Sequence, residues 1–328
     1  MKSARRQFLQ RATLAAAALS APALARAQQR PKEIKLDYAY YSPTSLVLRR
    51  HKWLDEELQR DGIEVKWVLS QGSNRALEYL NNNAVDFGST AGLAALLARA
   101  NGNPIRAVYV YSRPEWTALA VNAASPVTAV AELKGKKIAA TKGTDPYLFL
   151  LRTLHAHGLR KSDVEIVHLQ HPDGRVALET GRVDAWAGLD PHLAASQLDA
   201  GSKLIYRNVN FNTYGFLNVS ESFASRHPDE VQRVIRAYER ARAWAIANPA
   251  ETAKILAEEA KLSVRVAELQ LQRTDFTKPA IGAEHVEALR AAAPILLDEE
   301  LVKGGTDLTR VVADLVDASY GRRTLAST

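Results

Sequence analysis

The chain has 328 residues, with 43 lysines and arginines against 36 aspartates and glutamates, and it contains no cysteine. The absence of cysteine excludes disulfides, cysteine-ligated metal centres and a thiol nucleophile. No cluster of basic residues with interleaved aromatics occurs, so the composition does not indicate a nucleic-acid-binding protein.

The N-terminus has the pattern of an export signal. The pair Arg5 and Arg6 precedes an apolar stretch at 12–24, and a small-x-small cleavage site follows at 25–27. The apolar stretch is shorter than the roughly 20 residues that span a membrane, so we predict a twin-arginine-type signal peptide at 1–27. Removing its five basic residues leaves 38 basic against 36 acidic residues, which is close to neutral. We expect the periplasm as the destination, with the twin-arginine translocase and signal peptidase as export partners.

The mature chain alternates short β-like runs with amphipathic helical stretches, which is the pattern of α/β layers on mostly parallel sheets. The first predicted group is strand 34–40, helix 46–57, strand 64–69, helix 73–82, strand 85–88, helix 91–100 and strand 106–111. The second group has strands 117–122, 137–141, 165–169, 185–187 and 203–206, with helices 146–157, 174–180 and 191–200. A returning strand at 214–219 precedes a mainly helical remainder.

Two segments lie where the run of strands changes group, at 112–115 and 210–213. We interpret them as paired crossovers between two lobes. The first lobe is then discontinuous, comprising residues 28–113 and 217–328, and the second lobe comprises residues 114–216.

Four strand-to-helix junctions carry small, polar residues, at 41–44, 71–74, 88–91 and 142–145. Each places free backbone N–H groups at a helix N-terminus, where the helix dipole favours an anion. Ordinary N-capping explains any single junction. Ligands of open α/β sheets bind at the carboxyl ends of the strands, so four such junctions shared by two lobes favour an anion site in the crevice.

Three motifs resemble one family. The run LKGKKIA at 133–139, with KGTD at 142–145, resembles the L-K-G-K-K-(I/V)-A…K-G-(S/T)-(N/D) element of aliphatic sulfonate-binding proteins. GRVDAW at 181–186, with Asp190-Pro191, resembles the G-x-V-D-A-W…D-P signature of that family, and NAVDFG at 83–88 resembles its (V/I)-D-F-G strand. Together the motifs are typical of the sulfonate, taurine and nitrate group of solute-binding proteins.

The resemblance implies an α/β protein with the type II periplasmic binding protein fold, in which two lobes joined by two crossover segments hold a ligand between them. It implies a small anionic sulfonate as ligand, an ABC importer permease as partner, a role in sulfur metabolism, and no cofactor or metal. Taurine, nitrate and aromatic sulfonates stay open as ligands. A thiamine-pyrimidine precursor-binding protein or synthase on the same scaffold is the alternative, but such enzymes use cysteines, which this chain lacks.

The junctions and the resemblance together give the candidate ligand-binding residues. They are Ser42, Gln71, Gly72, Ser73, Ser89, Thr90, Gly143, Thr144, Asp145, Trp186, Asp190 and His192. A carboxylate at Asp145, where many relatives have asparagine, is unfavourable beside a sulfonate unless it points away as a helix cap. Core packing and a cleft position are equally expected of Trp186.

Enzyme patterns are incomplete in this sequence. The run at 88–92 places Thr90 where a nucleophile elbow requires serine, and Gly135-Lys136-Lys137 lacks the other residues of a phosphate-binding loop. His168 and His171 flank a strand end without a further metal ligand, and we predict that they lie on the surface. We therefore predict no catalytic residues and a protein that is not an enzyme.

The export prediction can be tested with the double substitution Arg5→Lys and Arg6→Lys. We expect the variant to stay in the cytoplasm with its signal uncut, because the twin-arginine route reads the arginine pair. Cell fractionation and N-terminal sequencing check this, with wild-type protein expected in the periplasm and starting near Gln28. Full-length wild-type chain in the cytoplasm of unperturbed cells would contradict the prediction.

Overall fold

The computed structural model of the protein describes residues 30–277 and 279–320. The predicted signal peptide at 1–27 lies outside these residues. Within the described part of the chain, no helix combines the length and the apolar character needed to cross a membrane.

Eleven strands are found in the described residues. They are β1 (Glu33–Tyr38), β2 (Glu64–Leu69), β3 (Phe87–Ala91), β4 (Ile105–Pro114), β5 (Thr117–Val121), β6 (Lys137–Ala140), β7 (Glu165–His168), β8 (Ala185–Leu189), β9 (Lys203–Tyr206), β10 (Gly215–Ser220) and β11 (Thr274–Asp275).

The α-helices of the same residues follow the alternation that the sequence predicts, and several more lie near the C-terminus. They are α1 (Pro43–His51), α2 (Trp53–Gln59), α3 (Ser73–Asn81), α4 (Gly92–Ala100), α5 (Asp145–Ala156), α6 (His171–Glu179), α7 (His192–Asp199), α8 (Glu221–Arg226), α9 (Pro228–Ala247), α10 (Pro249–Ala260), α11 (Val264–Gln272), α12 (Ala283–Ala292), α13 (Pro294–Asp298) and α14 (Leu308–Leu315).

Two sheets form the two lobes. The first has the strand order β11-β4-β10-β3-β1-β2, and the second has the order β7-β6-β8-β5-β9. Strand β1 is parallel to β2 and β3, and β6 is parallel to β7 and β8. Strands β10 and β5 are antiparallel to their neighbours. The predicted α/β class is confirmed, but the sheets are mixed rather than mostly parallel, because β10 and β5 run against their neighbours in the middle of each sheet.

One predicted helix is divided. The helix expected at 46–57 is found as α1 and α2, because Lys52 between them has the left-handed conformation (φ 54°) and ends the first helix. This backbone conformation is uncommon for a residue with a side chain. Apolar residues keep a helical spacing across this break, since Leu46 and Val47 stand seven residues before Trp53 and Leu54. The periodicity alone therefore does not reveal the break.

Helix α9 shows how the sequence places the core of the first lobe. Its buried side chains recur at three- and four-residue spacing, and they include Val231, Val234, Ile235, Tyr238, Ala241 and Ala245. This face packs on α1 and β4. Burying each large apolar side chain stabilises the fold by about 1.5–3 kcal/mol, so the stripe fixes the helix against the sheet.

The two crossovers meet at one buried carboxylate. The chain passes from the first sheet to the second between β4 and β5, and it returns between β9 and β10. Asp145, the first residue of α5, is 1% exposed. Its Oδ2 accepts hydrogen bonds from the indole N–H of Trp116 and from the backbone N–H of Thr213, both at 2.9 Å. Its Oδ1 accepts from the hydroxyl of Thr213 at 2.8 Å, so one side chain holds both crossovers.

The crossovers are also tied to each other and to the first lobe. The amide of Asn212 bonds both backbone groups of Thr117, accepting from its N–H at 2.8 Å and donating to its carbonyl at 3.3 Å. The Thr213 hydroxyl oxygen accepts from the N–H of Leu93 at the start of α4, at 3.1 Å. The first turns of α4 and α5, one in each lobe, are therefore linked through Thr213.

The substitution Asp145→Ala tests this arrangement. It leaves the Trp116 indole and both donor groups of Thr213 without an acceptor, and each buried unsatisfied donor costs about 1–3 kcal/mol. We expect the free energy of unfolding in urea to fall by about 3 kcal/mol or more. The matched control is Asp173→Ala, since Asp173 lies in the first turn of α6 but is exposed. A helix-dipole loss of at most about 1 kcal/mol is expected there, and equal losses in the two variants would contradict the assignment.

Candidate ligand-binding cleft

Three helix N-termini face one another where the lobes meet. Helix α3 starts in the first lobe, and α5 and α6 start in the second. A Cβ atom on Gly72, just before α3, would lie 2.9 Å from Nε2 of His171, the first residue of α6. A Cβ atom on Gly143, just before the cap of α5, would lie 3.5 Å from the Cβ of Asn74. The cleft therefore closes on the starts of these three helices.

The two glycines are required for different reasons. Gly143 has φ 77°, the left-handed region that side chains rarely adopt. Gly72 has φ 178°, an extended conformation open to any residue. Glycine is needed at Gly72 because a larger residue would collide with the opposite lobe.

The N-termini of α3, α5 and α6 carry no side-chain cap. The first N–H groups of a helix have no acceptor within the helix, and the helix dipole adds partial positive charge there. Helix α4 differs, because its first N–H groups donate to the crossover: Gly92 to the carbonyl of Tyr214 at 2.9 Å and Leu93 to the Thr213 hydroxyl. Of the predicted junctions, those at 71–74 and 142–145 therefore face the cleft, and the one at 88–91 is occupied by the chain itself.

The hydroxyl groups of the predicted site have distinct partners. Ser73 Oγ accepts from the N–H of Ala91 at 3.0 Å, which leaves its own proton free to donate. Thr90 donates to the Ala91 carbonyl at 3.1 Å and accepts from Asn218 at 2.7 Å. Thr144 donates to the carbonyl of Thr141 at 2.6 Å. Thr90 is thus engaged within the first lobe, and Thr144 offers a ligand its backbone rather than its hydroxyl proton.

Two predicted ligand contacts are corrected by the structure. Asp145 points into the crossovers, away from the cleft, because it is the acceptor for Trp116 and Thr213. Trp186 is 1% exposed and lies in the hydrophobic cluster of the second lobe. Its ring fills the space beside Gly174 and Gly188, where a Cβ atom would collide with it. Trp186 is therefore a core residue.

Asp190 joins the two lobes. It caps α7 by accepting from the N–H of Ala194 at 2.9 Å, and Nη1 of Arg273 lies 3.4 Å from both of its oxygens. Arg273 follows α11 and also donates to Gln197 of α7. Burial raises the pKa of Asp190 to about 6, against the opposing effect of Arg273. Asp190 of the second lobe thus contacts Arg273 of the first lobe directly.

Gln71 directly precedes Gly72 in the chain, and His192 acts electrostatically on the buried His171. Gln71 is exposed just before α3, and His192, the first residue of α7, is half-buried. Burial lowers the pKa of the His192 imidazole to about 4, with a smaller contribution from Arg175 in the same direction.

Ser42 and Ser89 lie in a polar cluster inside the first lobe. Asp37 is at its centre and accepts from the N–H of Ser89 at 2.7 Å. The buried hydroxyl groups of Ser42, Ser89, Tyr111 and Tyr238 belong to the same cluster, in which Ser89 interacts with Asp37 and Tyr238, and Ser42 with Tyr111. Burial raises the pKa of Asp37 to about 7. These two serines are therefore enclosed in the first lobe.

His171 is the main residue that the sequence analysis missed, and its predicted surface position is wrong. It is fully buried, its Nδ1 lies 3.1 Å from Thr141 Oγ1, and its Nε2 faces Gly72. Burial lowers the pKa of the imidazole to about 3, with a smaller effect of His192. A usable signal is its place at a strand-to-helix junction, directly before Pro172, just as Asp145 directly precedes Pro146.

Two lobes on separate sheets, two crossovers and facing helix N-termini define the class of the periplasmic binding proteins. A family model described as NMT1/THI5 like matches residues 58–252, which is more than half of the chain. The chain belongs to this family.

Similar proteins have been described from several bacteria. A putative aliphatic sulfonates-binding protein of Bacillus subtilis is 28% identical over 90% of this chain and 88% of its own length. The alkanesulfonate-binding protein SsuA of Xanthomonas axonopodis pv. citri, solved with bound MOPS, is 26% identical with a TM-score of 0.80, covering 88% of this chain and 99% of its own. The periplasmic aliphatic sulphonate-binding protein SsuA of Escherichia coli is 26% identical with a TM-score of 0.74, covering 86% and 92%. The predicted fold is confirmed.

The same fold also occurs in an enzyme. The desulfurization enzyme DszB has a TM-score of 0.64 over 90% of this chain and 99% of its own, at 18% identity. This likeness concerns the fold alone.

The raised pKa of Asp37 predicts a pH effect on stability. The folded protein holds the proton more tightly than the unfolded chain, where the ordinary value is 3.8. The contribution of Asp37 therefore favours folding below about pH 4 and is lost as the pH rises through about 7. Relative to Asp37→Asn, wild type should lose roughly 4 kcal/mol of unfolding free energy between pH 4 and pH 8. Urea unfolding at both pH values checks this, with Asp173→Asn as the control for loss of one charge, and a constant difference would contradict it.

Proposed function

We propose that this protein captures an aliphatic sulfonate between its lobes in the periplasm and delivers it to an ABC importer. The observation that carries the proposal is the meeting of the uncapped N-termini of α3, α5 and α6 at one point between the lobes. The family and the sulfonate-binding relatives support the choice of ligand.

A sulfonate suits this arrangement because it spreads one negative charge over three oxygens. Backbone N–H groups at a helix start bind such oxygens directly, and the helix dipole adds a favourable field. The donors come from both lobes, with Ser73 on one side and Gly143 and Thr144 on the other. We retain these three residues with Gln71 and Gly72 as the proposed ligand contacts.

Binding is coupled to closure of the lobes. A ligand shifts a protein to its closed form only through contacts that are better in that form. The lobes also contact each other directly, through Arg273 with Asp190 at 3.4 Å and Lys161 with Glu299 at 3.3 Å, and we expect these contacts to favour the closed form. The hinge is formed by the two crossovers at Trp116 and Thr213.

A binding role is supported over catalysis by the groups at the cleft. They are backbone N–H groups, the Ser73 hydroxyl and the neutral His171 imidazole, and the hydroxyl is not hydrogen-bonded to the imidazole, whose Nε2 has no partner among the described residues. A synthase or binding protein for thiamine-pyrimidine precursors stays the alternative, and taurine, nitrate and aromatic sulfonates are alternative ligands. Export through the twin-arginine route and docking to the permease are parts of the proposal that rest on the N-terminal sequence and on the relatives.

Calorimetry on the purified mature protein tests the function. The panel is ethanesulfonate, butanesulfonate, an aromatic sulfonate, taurine, nitrate and a thiamine pyrimidine. Saturable binding of an alkanesulfonate, with a smaller radius of gyration by small-angle scattering, is expected. Binding of only the pyrimidine, or of nothing in the panel, would contradict the proposal.

The substitution Gly72→Ala should weaken sulfonate binding by about tenfold or more. Its Cβ would lie 2.8 Å from Asn74 Oδ1 and 2.9 Å from His171 Nε2, so the lobes could not close fully. The extended backbone at this residue accepts alanine, so we expect the unfolding free energy to stay nearly unchanged. Calorimetry and urea unfolding measure the two quantities.

Gly304→Ala is the matched control, because no atom lies within 4 Å of a Cβ placed there. It should bind as wild type does. Wild-type affinity in Gly72→Ala would show that the cleft does not close at this residue.

A further inference from the structure

The tautomer of His171 is fixed by its neighbours. The hydroxyl proton of Thr141 is donated to the carbonyl of Leu169, at 2.7 Å. At its 3.1 Å contact with His171 Nδ1, the same oxygen can therefore only accept, so Nδ1 carries the proton. Nε2 of the neutral ring is then a hydrogen-bond acceptor. It is buried and has no partner among the described residues.

A second acceptor faces the same point. Oδ1 of Asn74 in α3 is also buried without a partner in the described part of the chain. A single position, that of a Cβ on Gly72, lies 2.8 Å from this oxygen and 2.9 Å from His171 Nε2. The two acceptors therefore lie close together beside the Gly72 backbone, and neither has a donor in the described part of the chain. Such an unsatisfied buried pair disfavours closure.

We propose that His171 and Asn74 select sulfonates that carry a neutral hydrogen-bond donor, a hydroxyl or an amide N–H, close to the sulfonate group. The donor supplies the hydrogen that the two acceptors lack. An ammonium group is a poorer donor here, because the N-termini of α3, α5 and α6 surround the site with partial positive charge. The inference deepens the proposed function and rests on it.

Calorimetry with three ligands of nearly equal size tests the selection. They are ethanesulfonate, 2-hydroxyethanesulfonate and 2-aminoethanesulfonate. We expect wild-type protein to bind the hydroxylated ligand about tenfold more tightly than ethanesulfonate, as for one well-made hydrogen bond. The amino ligand should bind no better than ethanesulfonate.

Variants assign the preference to His171. His171→Phe keeps an aromatic ring but removes the acceptor, so the affinities for ethanesulfonate and its hydroxylated analogue should become equal. His155→Phe, on the exposed face of α5, is the control and should keep the tenfold preference. Thr141→Val removes the group that fixes the tautomer, so it should reduce the preference while ethanesulfonate still binds.

The outcomes separate the inference from the proposed function. Equal binding of ethanesulfonate and the hydroxylated ligand by wild type would overturn the inference and leave sulfonate capture intact. Tightest binding of the amino ligand would overturn it as well, and so would an unchanged preference in His171→Phe. Ethanesulfonate binding that strengthens toward low pH with proton uptake would show His171 acting as a charged donor, again overturning it. No binding of any sulfonate would overturn both.

Discussion

The buried carboxylate of Asp145 is the constraint on which the arrangement of the two lobes depends. It accepts hydrogen bonds from both crossovers while standing at the start of α5. Placing a charge in the interior is costly unless hydrogen bonds satisfy it, and here three donors do so. Because Trp116 and Thr213 come from different crossovers, the start of α5 is positioned with respect to both connections at once.

This constraint also decides which helix ends remain for a ligand. Thr213, held by Asp145, donates its hydroxyl proton to the carboxylate and uses its oxygen to accept from Leu93 of α4. The first N–H groups of α4 are thereby bonded to the second crossover, although the residues before α4 are as small and polar as those before α3 and α5. Of the four helix starts compared at the cleft, those of α3, α5 and α6 remain for an anion.

The sequence predicts the fold well because local patterns specify it. Alternating strands and helices predict α/β layers, and the run from Leu133 to Asp145 indicates a family with two lobes. The roles of single side chains depend on contacts between distant segments. Asp145 is 68 residues from Thr213, and Trp186 fills space beside Gly174 of a different element. A motif gives the position of such a residue along the chain but not the direction of its side chain.

His171 shows the same limit, because its burial and the neutral state of its ring follow from contacts between distant segments. The cleft holds its anion without a charged partner: the proposed sulfonate contacts include backbone N–H groups and the hydroxyl of Ser73, whereas the nearby Arg273 is engaged with Asp190. Binding an anion with a buried lysine or arginine would leave an unpaired charge in the empty cleft, which is costly when the lobes close. Helix dipoles avoid that cost, because each helix N-terminus carries only a partial positive charge. A cleft built in this way can close on its ligand and release it again, because neither the empty form nor the bound form contains an unpaired buried charge.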